Sequence, residues 1–221
     1  GPLDEVPPAP SVDPAEQERF AQLLGGRPLW LAAGASLTEM RSVLDAQRQA
    51  NGLSHRLLLV IAPNRADEAG AITKAAELRG YNVARRSARQ DPEEHIQVLV
   101  ADDPAELGVW YRLAPITFMG GSLLPPGSDA GPDAPAALGS AIIYGPHIGV
   151  RKDDFDQLAA VGGARFVDSG TGLGAAVSSL LSPDKTAAMA HAAWLETSKG
   201  AEGTDRVVDI LVDAFDDPDG A

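Results

Sequence analysis

Six short apolar runs, each divided from the next by a stretch of helical pattern or a loop, restrict what this chain can fold into. They occupy residues 29–33, 57–62, 81–84, 98–101, 116–119 and 141–144. Each reads as a strand buried on both faces, because several offer no polar side for water to wet. Strands of that kind, separated by helices of roughly 10 to 15 residues, are the mark of a parallel sheet covered on each side. The fold class is therefore α/β, a doubly wound, Rossmann-like parallel sheet. In such sheets ligands bind beyond the carboxyl ends of the strands, so the loops after residues 33, 62, 101, 119 and 144 form the candidate site.

The helices between the runs have readable ends. Asp13-Pro14-Ala15-Glu16 supplies an N-cap, a proline at the first helical position and a capping-box glutamate, and Gly25-Gly26 is the stop. Ser36-Leu37-Thr38-Glu39 opens a second helix over 36–50 that stops at Asn51-Gly52, and a third covers 66–79 before Gly80. Capping alone accounts for Ser36 and Glu39 at this level. Beyond Val167 the pattern is helical throughout, in three segments over 172–181, 183–198 and 204–215.

These elements predict one large domain over 13–216. Residues 1–12 are proline-rich and unpatterned, which suits an extended linker, and Gly1-Pro2 resembles a protease scar. Residues 217–221 read as a disordered tail. With 31 acidic and 18 basic residues the net charge is −13, which repels phosphate backbones and excludes nucleic acid as a partner. There is no cysteine, hence no disulfide framework and no thiolate metal site, which fits a reducing cytoplasm. No apolar run approaches the roughly 18 residues needed to span a bilayer, so no membrane contact is expected.

The most distinctive segment is Phe118-Met119-Gly120-Gly121-Ser122-Leu123, an apolar strand ending in two glycines and a hydroxyl residue. Glycines there let a backbone approach a ligand, and successive amides can cradle an anion, although strand-to-turn glycines also serve structure alone. The pattern continues with Pro132, Pro135-Ala136-Ala137-Leu138-Gly139 and Tyr144-Gly145-Pro146-His147. In order and spacing it resembles the 3-deoxy-manno-octulosonate (Kdo) transferases, with their Phe-Val-Gly-Gly-Ser-Leu, Asn-Pro-Leu-Glu-Pro-Ala-Ala-Leu-Gly and Phe-Gly-Pro-His segments. Residues 27–33, 84–87 and 102–107 agree as well, so that the likeness runs over about residues 5–215.

The resemblance implies the C-terminal half of a GT-B glycosyltransferase, which binds a nucleotide-sugar donor. It implies transfer of Kdo from CMP-Kdo to a lipid A precursor in lipopolysaccharide assembly, without metal or other cofactor, at the cytoplasmic face of the inner membrane. The base and the acceptor surface belong to an N-terminal half, so this segment alone is expected to be inactive. The implied nucleotide-binding positions are Pro63, Asn64, Arg65, Pro104, Ala105, Glu106, Gly120, Gly121, Ser122, Gly131, Pro132, Asp133, Ala134 and His147.

Several of these depart from the family pattern. Pro63-Asn64-Arg65-Ala66-Asp67 stands where Pro-Arg-His-Pro-Glu is expected, leaving Arg65 as either an anion contact or a solvated arginine at a helix start. Glu106 either meets ligand or caps the next helix, as acids at helix N-termini do. Gly131-Pro132-Asp133-Ala134 replaces Asn-Pro-Leu-Glu, and Asp133 either substitutes for the lost glutamate or is a plain N-cap. Gly34-Ala35-Ser36 lacks the family's threonine-histidine pair. His147 either bonds the nucleotide or is structural, while His55, His95 and His191 lack metal-ligand spacing. Two alternatives follow: a GT-B-like domain that has lost its donor and acts as a scaffold, or a transferase domain for another nucleotide sugar. A dinucleotide-dependent oxidoreductase is set aside for want of Gly-x-Gly-x-x-Gly after the first strand.

Overall fold

A computed structural model describes residues 12–216, with side chains through residue 199. The expected linker, except Val12, and the expected tail at 217–221 lie outside the described residues. In chain order the elements are α1 (Pro14–Leu24), β1 (Leu29–Ala35), α2 (Met40–Asn51), β2 (Leu58–Pro63), α3 (Ala69–Glu77), β3 (Val83–Arg85) and β4 (Val98–Val100). There follow α4 (Leu107–Leu113), β5 (Ile116–Met119), α5 (Asp133–Ala137), β6 (Ala141–Tyr144), α6 (Lys152–Ala160), β7 (Ala164–Phe166), α7 (Gly170–Leu180) and α8 (Pro183–Asp216). The seven strands make one parallel sheet in the order β3-β4-β2-β1-β5-β6-β7.

Alternate residues of β1 show why both faces had to be covered. Trp30 and Ala32 enter a core shared with Val43 and Leu44 of α2, Ile72 of α3 and Val177 of α7. Leu29, Leu31 and Ala33 point the other way, into a core with Phe20 and Leu24 of α1 and Val109 and Trp110 of α4. A third cluster joins Met119, Ile142 and Tyr144 to Phe155 and Leu158 of α6 and Ala193 of α8. Burial of each large side chain stabilises by about 1.5 to 3 kcal/mol, so the two-sided apolar strands drive the layering. Val12, assigned to the linker by sequence, packs against the second core and belongs to the domain.

Three expectations are corrected. Residues 183–216 form one continuous helix, not segments split at the glycines around 200–203. The edge strand β7 was not foreseen, since Ala164-Arg165-Phe166 is too short and too exposed to make an apolar run. Strand β3 begins at Val83, because Tyr81 and Asn82 turn to the Leu44 and His95 carbonyls through side-chain hydrogen bonds of 2.8 and 3.1 Å. Among the described residues no helix is long and apolar enough to cross a membrane.

Several polar groups of the interior are paired, although Asn51 Oδ1 and Ser178 Oγ are buried without a hydrogen-bond partner among the described residues. Trp30 Nε1 donates to Gln47 Oε1 at 2.7 Å, and Gln47 Nε2 passes the bond on to the Leu57 carbonyl at 2.9 Å. At the amino edge of the sheet Arg27, 6% exposed, donates to the carbonyls of Arg56, Glu93 and Ile96 at 2.6, 3.1 and 2.5 Å. Burial lowers its pKa, yet the three carbonyls give each of its nitrogens a partner. Replacing Arg27 by methionine keeps the bulk and strands the carbonyls; a loss of about 3 kcal/mol is expected in urea unfolding.

Candidate functional site

The chain runs outward from β1 in both directions, through β2 on one side and β5 on the other, so β1 and β5 lie side by side where the strand order reverses. Their carboxyl ends open the crevice at which such sheets take ligands. The Gly120-Gly121-Ser122 turn stands at this point and is buried. The Gly120 amide donates to the Ala33 carbonyl at 2.6 Å, and a Cβ on Gly120 would stand 2.5 Å from the Ala35 Cα, so only glycine lets the loops meet. Gly121 then adopts φ 76°, a left-handed conformation that favours glycine.

Glu39, fully buried, reaches into this turn from the start of α2. Its Oε2 accepts from the Gly121 amide at 2.5 Å and its Oε1 from the Leu123 amide at 2.8 Å, against 3.4 Å for the Ser36 amide of the expected capping box. Two expectations fall together. Glu39 is not explained by capping alone, and the Gly121 and Leu123 amides are not open to an external anion, because an internal carboxylate already holds them. Ser122 is likewise occupied: its Oγ donates to the Met119 carbonyl and accepts from the Gly145 amide at 2.8 Å.

The loop after β2 joins the same crevice. The Asn64 amide donates to the Ala35 carbonyl at 3.0 Å, and Glu68 accepts from the Leu37 amide at 3.0 Å. Pro63 closes the strand and is half-buried; Asn64 and Arg65 are exposed. Arg65 is in contact with Asp67 at 2.7 Å, both about two-thirds exposed, which is the solvated-arginine arrangement.

The loop after β4 is tied elsewhere. Asp103, not Glu106, caps the following turn, accepting from the Ala105 amide at 3.0 Å. Glu106 instead takes both its oxygens to Arg86 at 2.9 to 3.0 Å and accepts from Trp110 Nε1 at 3.3 Å. Arg86 also holds Asp91 at 2.7 Å and lies over the Phe20 ring at 4.9 Å. Pro104 and Ala105 are exposed beside this network. Its hydrogen bonds run to the loop after β3, and among the described residues none joins Glu106 to the glycine turn.

Asp102, with its side chain 2% exposed, carries Arg85 at 2.5 Å and the Ser87 amide at 2.8 Å. Burial would raise its pKa, but the Ser87 amide and the Arg85 guanidinium outweigh that and hold it below the usual aspartate value.

The loop before α5 leans on the segment after β6. The Ser128 amide donates to the His147 carbonyl at 2.9 Å, while the His147 amide donates to the Ser122 carbonyl at 2.8 Å. His147 is thus fixed through its backbone, with a half-buried side chain. Pro132 is buried and is itself the N-cap, so Asp133 lies inside the first turn of α5 and is not an N-cap; it pairs with Arg151. Ala134 packs toward the core under α4, which turns position 134 away from the crevice. Gly131 lies against the Arg151 guanidinium.

The structure therefore brings Pro63, Asn64, Gly120, Gly121, Ser122, Gly131, Asp133 and His147 to one rim and leaves Pro104, Ala105 and Glu106 in a neighbouring ion-pair network. Sequence reasoning missed Glu39, Arg86 and Arg151 as organisers of these loops. The only hint was glycine at 131, a place vacated for another side chain. A cleft of about 290 Å3 between α2 and α7, lined by Arg41, Ser42, Asp45, Gln49, Gly170 and Thr171, contains none of the candidate residues.

No protein-family model matches the chain. The 3-deoxy-D-manno-octulosonic acid transferase of Bordetella pertussis is 36% identical over 181 residues, 81% of this chain and 41% of that protein. Its counterpart from Haemophilus influenzae is 28% identical over 187 residues, 84% of this chain and 44% of that protein. The chain thus spans about two fifths of the length of these curated relatives. Among solved structures, the C-terminal CMP-Kdo binding domain of WaaA from Acinetobacter baumannii matches with a TM-score of 0.73 at 22% identity, over 82% of this chain and 97% of that one. WaaG, a glycosyltransferase involved in lipopolysaccharide biosynthesis, matches with a TM-score of 0.54 at 14% identity, over 84% of this chain and 47% of that one.

Two measurements check the site. Glu39→Ala leaves two buried amides without an acceptor and is expected to cost about 2 to 4 kcal/mol in urea unfolding, with Glu39→Gln intermediate. Because the folded Asp102 titrates below the roughly 3.9 of an unfolded aspartate, its contribution is complete above that value and disappears as pH falls through the folded pKa. The stability gap between the parent and Asp102→Asn should therefore narrow on acidification below about pH 4.

In sequence the chain is similar to Kdo transferases over about four fifths of its length, and in fold its seven-stranded parallel sheet is similar to the C-terminal domain of WaaA.

Proposed function

We propose that the chain is the donor-binding half of a Kdo transferase, holding CMP-Kdo while an N-terminal half supplies the base and the lipid A precursor. The observation that carries this reading is the position of the glycine turn: the segment that resembles the family most closely sits at the reversal of strand order, where α/β sheets take nucleotides. The likeness to curated Kdo transferases and to a CMP-Kdo binding domain supports the donor. The nucleotide would lie beyond the Gly120–Ser122 turn. Asn64 and Arg65 would stand on one side, and Gly131, Asp133 and His147 on the other. Protein donors and a cationic side chain would neutralise the phosphate, with no metal required. The acceptor, the place at the cytoplasmic face of the inner membrane and the transfer itself belong to the whole protein.

Titrating CMP into the isotopically labelled chain tests this. Amide shifts are expected over 63–65, 120–123, 127–135 and 145–151, with no transferase turnover by the chain alone. Silence at millimolar CMP would remove the reading, and competition among CMP, UDP and GDP identifies the base.

A second reading, a scaffold domain without donor, is favoured by one observation. Glu39 already fills the Gly121 and Leu123 amides, and Arg65, Arg85, Arg86 and Arg151 each hold a carboxylate of the chain. It predicts that none of the three nucleotides perturbs the rim.

A further inference from the structure

Arg151 lies outside the residues that the family pattern implies, yet its guanidinium sits at the middle of the loop that carries four of them. It rises from the turn before α6 with its side chain 22% exposed, pairs through Nη2 with Asp133 of α5, and places Nε 2.7 Å from Asp154. A Cβ on Gly131 would come within 2.8 Å of its Nε and Cζ, so the guanidinium occupies the space that any side chain at 131 would enter. The same loop is strapped to the segment bearing Arg151 by the Ser128 amide on the His147 carbonyl at 2.9 Å and the Val150 amide on Asp129 at 3.4 Å. It also touches the glycine turn, since a Cβ on Gly121 would stand 3.0 Å from the Ser128 Cβ. A cation from the β6–α6 connection has thus taken the place of a side chain at position 131.

We propose that Arg151 is the residue that meets the nucleotide phosphate in this chain, and that Asp133 is an internal competitor which holds the guanidinium until the phosphate replaces it. The proposal rests on the donor-binding reading and deepens it.

Carboxylate and phosphate are both oxyanions that accept from the planar guanidinium fork, so a phosphate oxygen can take the place of the Asp133 Oδ2 now held by Nη2. Asp133 is suited to leave. Its side chain is short and 31% exposed, so it can turn to water when another anion takes its place. Asp154, three residues beyond Arg151, stays in contact with Nε and keeps the fork aimed while Asp133 turns to solvent. At no stage is the guanidinium buried without an anion, which is the costly condition for such a group. A purely structural staple behaves differently: loss of either partner would loosen the loop, and the two losses would act in the same direction.

The experiment measures CMP and cytidine affinity, by calorimetry or amide shifts, for the parent chain and for Arg151→Met, Asp133→Asn and Gly131→Ala. Arg151→Met should weaken CMP by about tenfold or more and leave cytidine, which lacks the phosphate, unchanged. Asp133→Asn should tighten CMP by about threefold. Gly131→Ala, which pushes the guanidinium aside without removing it, should weaken CMP. Weaker CMP binding by Asp133→Asn, unchanged CMP binding by Arg151→Met, or equal losses of CMP and cytidine would each overturn the proposal. A parent chain that binds no CMP removes the donor-binding reading as well, whereas a parent that binds CMP no better than Arg151→Met removes only the role of Arg151. Should Arg151→Met fail to fold, the opposite signs expected of the other two variants still decide.

Discussion

The buried carboxylate of Glu39 is the contact on which the rest of the site depends. It stands at the reversal of strand order and accepts two amides from a turn 82 and 84 residues further along the chain. Loops at a sheet's carboxyl edge otherwise present unpaired backbone donors, and two successive glycines make such a loop costly to order. One side chain answers both problems. It satisfies the donors, and it fixes the turn at which the two halves of the sheet meet. The turn itself is buried, so what is exposed for recognition is the loop beyond it and the side chains around it, not the amides.

The same economy of charge runs along the rim. The chain has a net charge of −13, so an anionic ligand approaches against the average field. Arg65, Arg85, Arg86 and Arg151 are each matched to a carboxylate of the chain. These pairs differ in kind. Arg86, 11% exposed, is locked by Glu106 and Asp91 and covers Phe20, so it belongs to the core's edge as much as to the surface. Arg65 and Asp67 are open to water and held to little. Arg151 lies between these limits, anchored enough to have a direction and exposed enough to change partners.

Much of the fold was legible because burial on two faces leaves a pattern that needs no distant information. Residues 116–119 and 141–144 coincide with β5 and β6, and β1, β2 and β4 differ only at their ends. The failures have local causes. Strand β7 is an edge strand with Phe166 half in water, so it carries no apolar run. Glycines within α8 read as a break although the backbone continues through them. The site was less legible than the fold. The carboxyl-end rule brought the glycine turn together with the loops after β2 and β6, but not with the loop after β4, and it gave no sign of what fills them. Glu39 satisfies a capping pattern, and a residue that already has a local explanation gives no sign of a partner more than eighty positions away. Arg151 belongs to no motif; its role is written at position 131, as the absence of a side chain.

Substitutions at Gly131 and Ala134 are therefore unequal in consequence. Ala134 faces the core beneath α4, so a longer polar residue there would have to turn back toward the crevice before it reached a ligand. Gly131 faces the rim, and its lack of a side chain is what admits Arg151. An amide side chain at 131 would offer neutral hydrogen bonds, whereas the guanidinium offers charge and a planar fork. On the proposed reading, a guanidinium at this point favours phosphate. A loop can lose both of its expected polar residues and still present a recognition group, provided that the neighbouring segment supplies one and the vacated position is small enough to let it in.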